Sequence, residues 1–250
     1  MLDFALSVAQ NAGEYIRKHI KANLIVEHKG RTDLVTSVDK GAQRLIINAI
    51  EERFPQHGIL AEEGVKKCGR DHYTWIVDPL DGTTNFVHGL PIFCVSIALY
   101  REGEPSLGVC YNPVSAELFS AESGKGAFLN GQQLSVSKTD KLVNALVATG
   151  FPYRTNDMQG IMARFFRIVS QAQGVRRLGS AAIDLCYVAC GNFDAFWEAG
   201  LQPWDMAAGA LILQEAGGQV SNVDGTTLDF ARGEIVASNA ILHDALLMLM

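Results

Sequence analysis

The stretch Trp75-Ile76-Val77-Asp78-Pro79-Leu80-Asp81-Gly82-Thr83-Thr84-Asn85-Phe86 carries the strongest structural signal in the chain. Its apolar first residues predict a β-strand that delivers two carboxylates, and the Gly-Thr-Thr that follows is able to open a helix. In α/β proteins, ligands bind beyond the carboxyl ends of strands. The same residues also suit a Pro-x-Asp-Gly turn, in which Asp81 and Gly82 only shape the backbone. Both interpretations, a ligand site and a turn, fit this stretch alone.

The composition predicts a globular chain with a large core. Of the 250 residues, 48% are hydrophobic and 19% are charged, the latter below the ~25% that is typical of soluble domains. Glycine, with 24 residues, indicates many tight turns. The 21 Lys and Arg residues against 27 Asp and Glu residues give a net charge of −6, which argues against a nucleic-acid partner.

The sequence also predicts a cellular compartment. The acid Asp3 stands where a signal peptide requires positive charge. The longest apolar stretches, Val95–Tyr100 and Met206–Leu213, are far shorter than the ~18 residues that a membrane helix needs. The five cysteines are odd in number and form no Cys-x-x-Cys pair. We therefore expect a soluble cytoplasmic protein with reduced cysteines and no membrane partner.

Hydrophobic periodicity predicts a mixed α and β protein built in layers. Apolar residues recur at helical spacing over 2–20 and 40–53, whereas 58–149 consists of short β-branched runs separated by Gly, Pro and Asn. Short strands then alternate with further predicted helices, which span 158–172, 180–190 and 204–216. Since no linker or repeat interrupts this pattern, we expect one domain over 1–250 with two continuous subdomains, 1–145 and 146–250.

Further acidic residues stand next to apolar segments elsewhere in the chain. Glu62 and Glu63 end an apolar run, and Asp205 begins an otherwise apolar helix. By themselves, the two glutamates suit a solvated loop and Asp205 suits an ordinary N-cap. Mg²⁺ prefers several oxygen ligands, and buried acids without a metal would repel one another. The acids that could together supply such ligands are Glu62, Asp78, Asp81 and Asp205.

Taken together, these segments resemble the inositol monophosphatase family of Mg²⁺-dependent, Li⁺-sensitive phosphatases, which is related to fructose-1,6-bisphosphatase. The resemblance covers nearly the whole chain. It implies a mixed α/β (α+β) fold, layered as an α-β-α-β-α sandwich. The motifs that carry it are Asp33-Leu34-Val35-Thr36-Ser37-Val38-Asp39, Ala61-Glu62-Glu63, Trp75–Phe86, Gly179-Ser180-Ala181-Ala182 and Trp204-Asp205-Met206-Ala207-Ala208-Gly209.

The resemblance implies a site for two or three Mg²⁺ ions. Asp78 would bridge two of them, which can stabilise both the attacking and the leaving oxygen of an in-line phosphoryl displacement. A third, weaker ion would lie near Glu62 and Glu63. The implied metal ligands are Glu62, Asp78, the backbone carbonyl of Leu80, Asp81 and Asp205.

The resemblance also implies roles for the residues around the metals. A Mg²⁺-activated water would pass its proton through Thr83, whose hydroxyl Asp39 orients, with Glu62 assisting. Asp39 by itself suits an N-cap for a helix that begins at Lys40. Glu198 by itself suits a solvated strand end. The residues implied to contact the phosphate are Gly82, Thr83 and Thr84, and those implied to contact substrate hydroxyls are Gly179, Ser180, Ala181, Glu198 and Asp205.

The expected activity is hydrolysis of inositol 1-phosphate to inositol and phosphate. A fructose-1,6-bisphosphatase or dual inositol and sugar phosphatase is an alternative, which the pair Arg176-Arg177 keeps open, and a 3′-phosphoadenosine 5′-phosphate phosphatase is less favoured. A different class is a regulatory protein that keeps the scaffold and binds a partner. Family members are generally homodimers, and the apolar segments Phe151–Tyr153 and 158–172 could supply the contact.

Overall fold

The computed structural model describes residues 1–20, 26–28, 34–153 and 157–250. Asp33, the first residue of one family-like motif, lies outside these ranges. The helices are α1 (Leu2–Lys18), α2 (Ser37–Arg53), α3 (Thr83–His88), α4 (Met158–Val169), α5 (Ala181–Ala189), α6 (Pro203–Glu215) and α7 (His243–Leu247). The strands are β1 (Val26–His28), β2 (Leu34–Thr36), β3 (Gly58–Ala61), β4 (Lys66–Lys67), β5 (Tyr73–Asp81), β6 (Cys94–Arg101), β7 (Glu104–Asn112), β8 (Glu117–Glu122), β9 (Ala127–Leu129), β10 (Gln132–Gln133), β11 (Leu146–Thr149), β12 (Gly174–Arg176), β13 (Ala195–Ala199), β14 (Gln219–Ser221) and β15 (Glu234–Ser238).

An eight-stranded sheet forms the first half of the molecule, in the order β10-β9-β8-β7-β6-β5-β3-β4. All neighbours are antiparallel except β3 and β5, which are parallel. Successive strand residues point to opposite faces. Trp75 and Val77 of β5 therefore pack with α1 and α2 on one face, and Ile76 packs with α5 and α6 on the other. A separate pair, β1 and β2, is antiparallel.

A five-stranded sheet, β12-β11-β13-β15-β14, forms the second half. Its strand β11 is parallel to both neighbours, and β15 is antiparallel to both of its own. Helices α5 and α6 pack between the two sheets, and α4 and α7 cover the outer face. The predicted α-β-α-β-α sandwich is confirmed. Among the described residues, no helix is long and apolar enough to cross a membrane.

Helix α6 is held in place along its length. A Cβ on Gly108 of β7 would lie 2.8 Å from the carbonyl oxygen of Ala208, and a Cβ on Gly209 would lie 2.7 Å from the Cβ of Leu185 in α5. Glycine at both positions therefore permits α6 to approach the sheet and α5 closely. At its end, the Glu215 carboxylate accepts hydrogen bonds from the backbone N–H groups of Gly124 and Gly126, both at 2.8 Å. These contacts fix the helix that carries Asp205.

Helix α2 begins three residues before the predicted start at Lys40. Thr36 is its N-cap: the hydroxyl accepts hydrogen bonds from Val38 and Asp39 backbone N–H groups, and the Asp39 carboxylate accepts one from the Thr36 N–H at 2.9 Å. Asp39 is thus the third helical residue in a capping box. The expectation that Asp39 is the N-cap was wrong, because the sequence Thr-Ser-Val-Asp offers the cap one turn earlier.

His243 of α7 is a buried histidine between two serines, Ser221 of β14 and Ser238 of β15. Its Nε2 lies 2.9 Å from the Ser221 hydroxyl, and its Nδ1 lies 3.0 Å from the Ser238 hydroxyl. Ser221 donates its only proton to the Asn222 carbonyl, so Nε2–H donates to Ser221 and Nδ1 accepts from Ser238. Burial lowers the pKa of His243 below its usual 6.5, an effect that Asp244 partly opposes. The network fits a neutral imidazole.

We expect this histidine to make the protein less stable in acid. Because the pKa of His243 is lower in the folded than in the unfolded state, its contribution to the free energy of unfolding is complete above pH 6.5. That contribution declines as the pH falls toward the folded-state pKa. The loss reaches at most ~1.4 kcal/mol per pH unit for one proton. Urea unfolding in EDTA from pH 7.5 to 5 should show a shallower decline for His243→Gln than for the unmodified protein. The exposed control His88→Gln should behave like the unmodified protein, and equal slopes in all three would contradict the prediction.

Candidate active site

An irregularity in β5 brings Asp78 and Asp81 to one face of the sheet. Residues three apart on a regular strand point to opposite faces. Here Asp78 lies opposite Ser96 and Asp81 lies opposite Cys94, with a register shift between the two acids. Since Ser96 and Cys94 are two residues apart on β6, they share a face, and the two carboxylates share it with them. Pro79, which has no N–H for the ladder, lies within the shift.

Asp205 joins these two acids from the beginning of α6. Carboxylate oxygens of Asp78, Asp81 and Asp205 lie within 4.8 Å of one another, a group that could hold a metal ion. Gln202, and not Asp205, is the N-cap of α6. Asp205 is the third helical residue, and its Oδ2 accepts a hydrogen bond from the Gln202 N–H at 2.7 Å. The other carboxylate oxygen is therefore available to the cluster.

Glu62 approaches Asp78 from the neighbouring strand. Strands β3 and β5 are parallel, so their carboxyl ends meet at one edge of the sheet. The Glu62 backbone N–H donates to the Val77 carbonyl at 3.2 Å, and the Glu62 carboxylate is near enough to Asp78 to raise the pKa of that acid. Asp78 Oδ1 also accepts from the Leu80 N–H at 2.9 Å. The residues predicted to supply metal ligands all line one cavity, and they are Glu62, Asp78, Leu80, Asp81 and Asp205.

The electrostatics of this cluster favour a divalent cation. Burial, with the charges of Glu62, Asp81 and Asp205, raises the pKa of Asp78 well above its usual value. Burial raises the pKa of Asp81 to about 6, although the Ser180 hydrogen bond opposes the shift. Burial and the Asp81 charge raise the pKa of Asp205. Because the ionised acids repel one another, positive charge placed among them would relieve the repulsion, and their oxygen atoms fit a hard cation.

Thr83 and Asp39 form a hydrogen-bonded pair beside the cluster. The Thr83 hydroxyl lies 2.8 Å from Asp39 Oδ1 and 3.0 Å from the Leu80 carbonyl oxygen. Asp39 is buried, and burial raises its pKa. Its other oxygen caps α2, so the carboxylate is held from both sides. One carboxylate oxygen of Asp39 therefore completes the capping box of α2, and the other accepts the hydrogen bond of the Thr83 hydroxyl.

The turn into α3 depends on Gly82. Its φ of +93° lies in the left-handed region, and a Cβ there would approach the Ile92 carbonyl oxygen to 2.9 Å. Gly82 and Thr83 line the main cavity of the site. Thr84 is not among the residues that line it, and its hydroxyl lies 3.4 Å from the Tyr153 hydroxyl. Of the three predicted phosphate contacts, the first two are best placed.

The segment before α5 supports Asp81. The Ser180 hydroxyl donates to Asp81 Oδ2 at 2.6 Å, and the Ala182 N–H donates to the same oxygen at 2.8 Å. The Ser180 side chain is buried, whereas Gly179 and Ala181 line the cavity. A serine before an apolar helix signals an N-cap, which Ser180 also is, but the hydrogen bond to Asp81 has no local sequence signal.

Asn85 is a further residue whose role sequence reasoning missed. Its side-chain amide donates to the Leu178 carbonyl at 2.8 Å and to the Ile92 carbonyl at 2.7 Å. These bonds tie α3 to the segment that leads into α5. The sequence gives no indication of them, because the partners lie 93 and 7 residues away.

The cavity has a volume of about 530 Å³, and Glu198 and Arg177 are among the residues that line it. A Cβ on Gly150 would overlap the Glu198 carboxylate, so glycine makes room for it. Burial raises the pKa of Glu198 to about 8, although the Arg177 charge opposes the shift. Arg176 is exposed and donates to the Val175 carbonyl, so only Arg177 of the Arg176-Arg177 pair lines the cavity.

The profile of the inositol monophosphatase family matches residues 1–249. A "Nus factor SuhB" of Pseudomonas aeruginosa is 46% identical over 99% of this chain and 94% of the relative. "Inositol monophosphatase 3" of Solanum lycopersicum is 45% identical over 98% and 94%. The crystal structure of the "extragenic suppressor protein suhB" of Bartonella henselae superposes with a TM-score of 0.96 at 40% identity, over 99% of this chain and 96% of that one.

We expect Asp78→Asn to stabilise the metal-free protein while abolishing its response to divalent ions. The substitution removes the charge that three other acids repel and weakens the metal site. In EDTA at pH 8, the Tm should rise above that of the unmodified protein, and the increase in Tm on adding Mg²⁺ should disappear. The exposed Asp140→Asn should change neither property. A lower metal-free Tm with a retained Mg²⁺ response would contradict the prediction.

Proposed function

The chain belongs to the inositol monophosphatase family, whose members are metal-dependent phosphatases, and we propose that it hydrolyses inositol 1-phosphate to inositol and phosphate. The observation that carries this proposal is the cluster of buried Asp78 with Asp81 and half-buried Asp205, which lies beside the Thr83 and Asp39 pair. The three aspartates and Thr83 line a cavity that Glu198 also lines.

We propose two Mg²⁺ ions at this cluster, with a third, weaker ion near Glu62 and Glu63. Carboxylates, a backbone carbonyl and water are the ligands that Mg²⁺ prefers. When bound, the ions supply positive charge that acidifies a water and stabilises the oxygens of the transferred phosphoryl group. The proposed ligands are Glu62, Asp78, the Leu80 carbonyl oxygen, Asp81 and Asp205.

Thr83 is proposed to take the proton of the attacking water, with Glu62 assisting. When the Thr83 hydroxyl donates to Asp39, it keeps a lone pair that can accept from a water on its other side. Asp39 then receives a proton along a hydrogen bond that already exists. Because the Thr36 N–H holds the second Asp39 oxygen, the carboxylate need not move during the transfer.

The substrate is proposed to lie with its phosphate near Gly82 and Thr83 and its ring toward Glu198. A carboxylate can accept hydrogen bonds from two adjacent hydroxyls, which suits a cyclitol or a sugar. Further hydroxyl contacts are proposed for Gly179, Ala181 and Asp205. Ser180 and Thr84 would take part through their backbones, since the hydroxyls of both have protein neighbours.

Arg177 supports a second substrate class. A guanidinium in the cavity wall can pair with a second anionic group, such as the distal phosphate of a sugar bisphosphate or of a phosphoadenosine nucleotide. A dual inositol and sugar phosphatase is therefore the second candidate. A regulatory binding role is the third, because a relative at 46% identity is named a Nus factor.

A homodimer and a cytoplasmic location complete the proposal. Helix α4 presents an apolar stripe to solvent, made of Met158, Met162, Phe166 and Val169 at spacings of one helical turn. Such a stripe fits an isologous contact with a second copy. The five cysteines are free, which suits a reducing compartment.

The activity is tested with inositol 1-phosphate, fructose 1,6-bisphosphate and 3′-phosphoadenosine 5′-phosphate side by side. We expect Mg²⁺-dependent phosphate release that Li⁺ inhibits, with the highest kcat/KM for inositol 1-phosphate. Thr83→Val should lower kcat by about 10²–10⁴-fold, the usual contribution of general acid–base catalysis, and Thr83→Ser should retain most of it. If the unmodified protein turns over no small phosphomonoester, the enzymatic proposal is refuted.

The dimer is tested by placing a charge on the stripe. Phe166 is 71% exposed, and we expect Phe166→Lys to shift sedimentation velocity from dimer to monomer, because central interface aromatics each contribute about 2 kcal/mol or more. Val143→Lys changes a residue of similar exposure, 65%, that lies outside the stripe, and should leave the dimer intact. A dimer that survives Phe166→Lys would exclude α4 from the interface.

A further inference from the structure

We infer that Gln43 is a positioning residue that holds the Glu62 carboxylate in place through the backbone of Glu63. This inference rests on the proposed function, because it concerns a proposed metal ligand. Gln43 is not one of the acids of the metal cluster, and it is not among the residues that line the cavity. It lies on α2 and is 6% exposed.

The Gln43 amide pairs with both backbone polar groups of Glu63. Its Oε1 accepts from the Glu63 N–H at 2.9 Å, and its Nε2 donates to the Glu63 carbonyl at 3.2 Å. A glutamine amide carries a donor and an acceptor side by side, as a neighbouring β-strand would. The side chain therefore replaces a strand at a point where the chain leaves the sheet.

The Gln43 amide supports the loop between β3 and β4 on the carboxyl side of Glu62. On the amino side, the Glu62 N–H donates to the Val77 carbonyl, which belongs to the residue before Asp78. After Glu63 the chain reverses at Gly64, whose φ is +79°, and the next tie to the sheet is the bond from the Ala61 N–H to the Val65 carbonyl. The Gln43 amide holds the backbone of Glu63, which lies between these two hydrogen bonds.

The same face of α2 also carries Asp39. Asp39 and Gln43 are four residues apart, so they lie one above the other on the helix. Asp39 orients the Thr83 hydroxyl, and Gln43 holds the loop of Glu62. One rigid helix, fixed at its start by Thr36, thereby places the proton-accepting threonine and a metal-ligating glutamate relative to each other.

Two variants remove this support in different ways. Gln43→Met keeps the volume of the side chain but has no amide, and Gln43→Asn keeps the amide on a side chain that is one methylene too short. Asn48→Ala, an exposed amide on the same helix, is the matched control. Circular dichroism and the Tm in EDTA establish that each variant is folded, and Gln43→Asn serves if Gln43→Met does not fold.

The main measurement is a Mn²⁺ titration without substrate. Binding is monitored through the electron paramagnetic resonance signal of the free ion. We expect both Gln43 variants to bind Mn²⁺ about 10–100-fold less tightly at the proposed site that includes Glu62. This is the range found when the hydrogen-bond partners of metal ligands are removed. The Mg²⁺ concentration for half-maximal activity should rise by a similar factor, and kcat at saturating Mg²⁺ should change far less. Asn48→Ala should match the unmodified protein in every measurement.

A purely structural role for Gln43 would lower the metal-free Tm and leave the Mn²⁺ affinity unchanged, which would overturn the inference. A lower kcat at saturating Mg²⁺ with unchanged metal affinity would overturn it as well. If the unmodified protein has no phosphatase activity, the proposed function fails, whereas the Mn²⁺ comparison still decides whether Gln43 supports the Glu62 loop.

Discussion

Repulsion among buried carboxylates is the constraint on which the rest of the site depends. Burial raises the pKa of Asp78, Asp81 and Asp205, and the charges of neighbouring carboxylates add to the shift at Asp78 and Asp205. Such a cluster does not assemble by its own attraction, so the fold must hold each member in place. The carboxylate cluster lowers the stability of the metal-free fold and creates a site that binds positive charge.

A backbone N–H group donates a hydrogen bond to one carboxylate oxygen of each aspartate in the cluster. Leu80 donates to Asp78, Ala182 donates to Asp81, and Gln202 donates to Asp205. Each bond uses one carboxylate oxygen and stabilises the ionised form. The remaining oxygen lone pairs are available to a ligand. The same division recurs at Asp39, which caps α2 with one oxygen and accepts from Thr83 with the other.

Several helices begin near the cluster, because the first turn of a helix has free backbone N–H groups that can donate to carboxylates. The starts of α2, α3, α5 and α6 all contribute a residue or an N–H group to the site. The positive end of a helix dipole stabilises a nearby negative charge by about 0.3–1 kcal/mol. The close packing of α6 at Gly108 and Gly209 and the hydrogen bonds of Glu215 therefore matter to the site, since they hold the helix that delivers Asp205.

The sequence by itself determined the layered class, the positions of the long helices and the set of acidic residues, because hydrophobic periodicity and compact motifs are local. The regions 2–20 and 40–53 are helical as predicted, apart from the ends. Only the tertiary structure decided that Asp78 and Asp81 share a face, since this depends on a register shift against β6. It also decided the partners of Ser180, Asn85 and Gln43, because those hydrogen bonds join groups that are distant in the chain and meet only when separate elements pack.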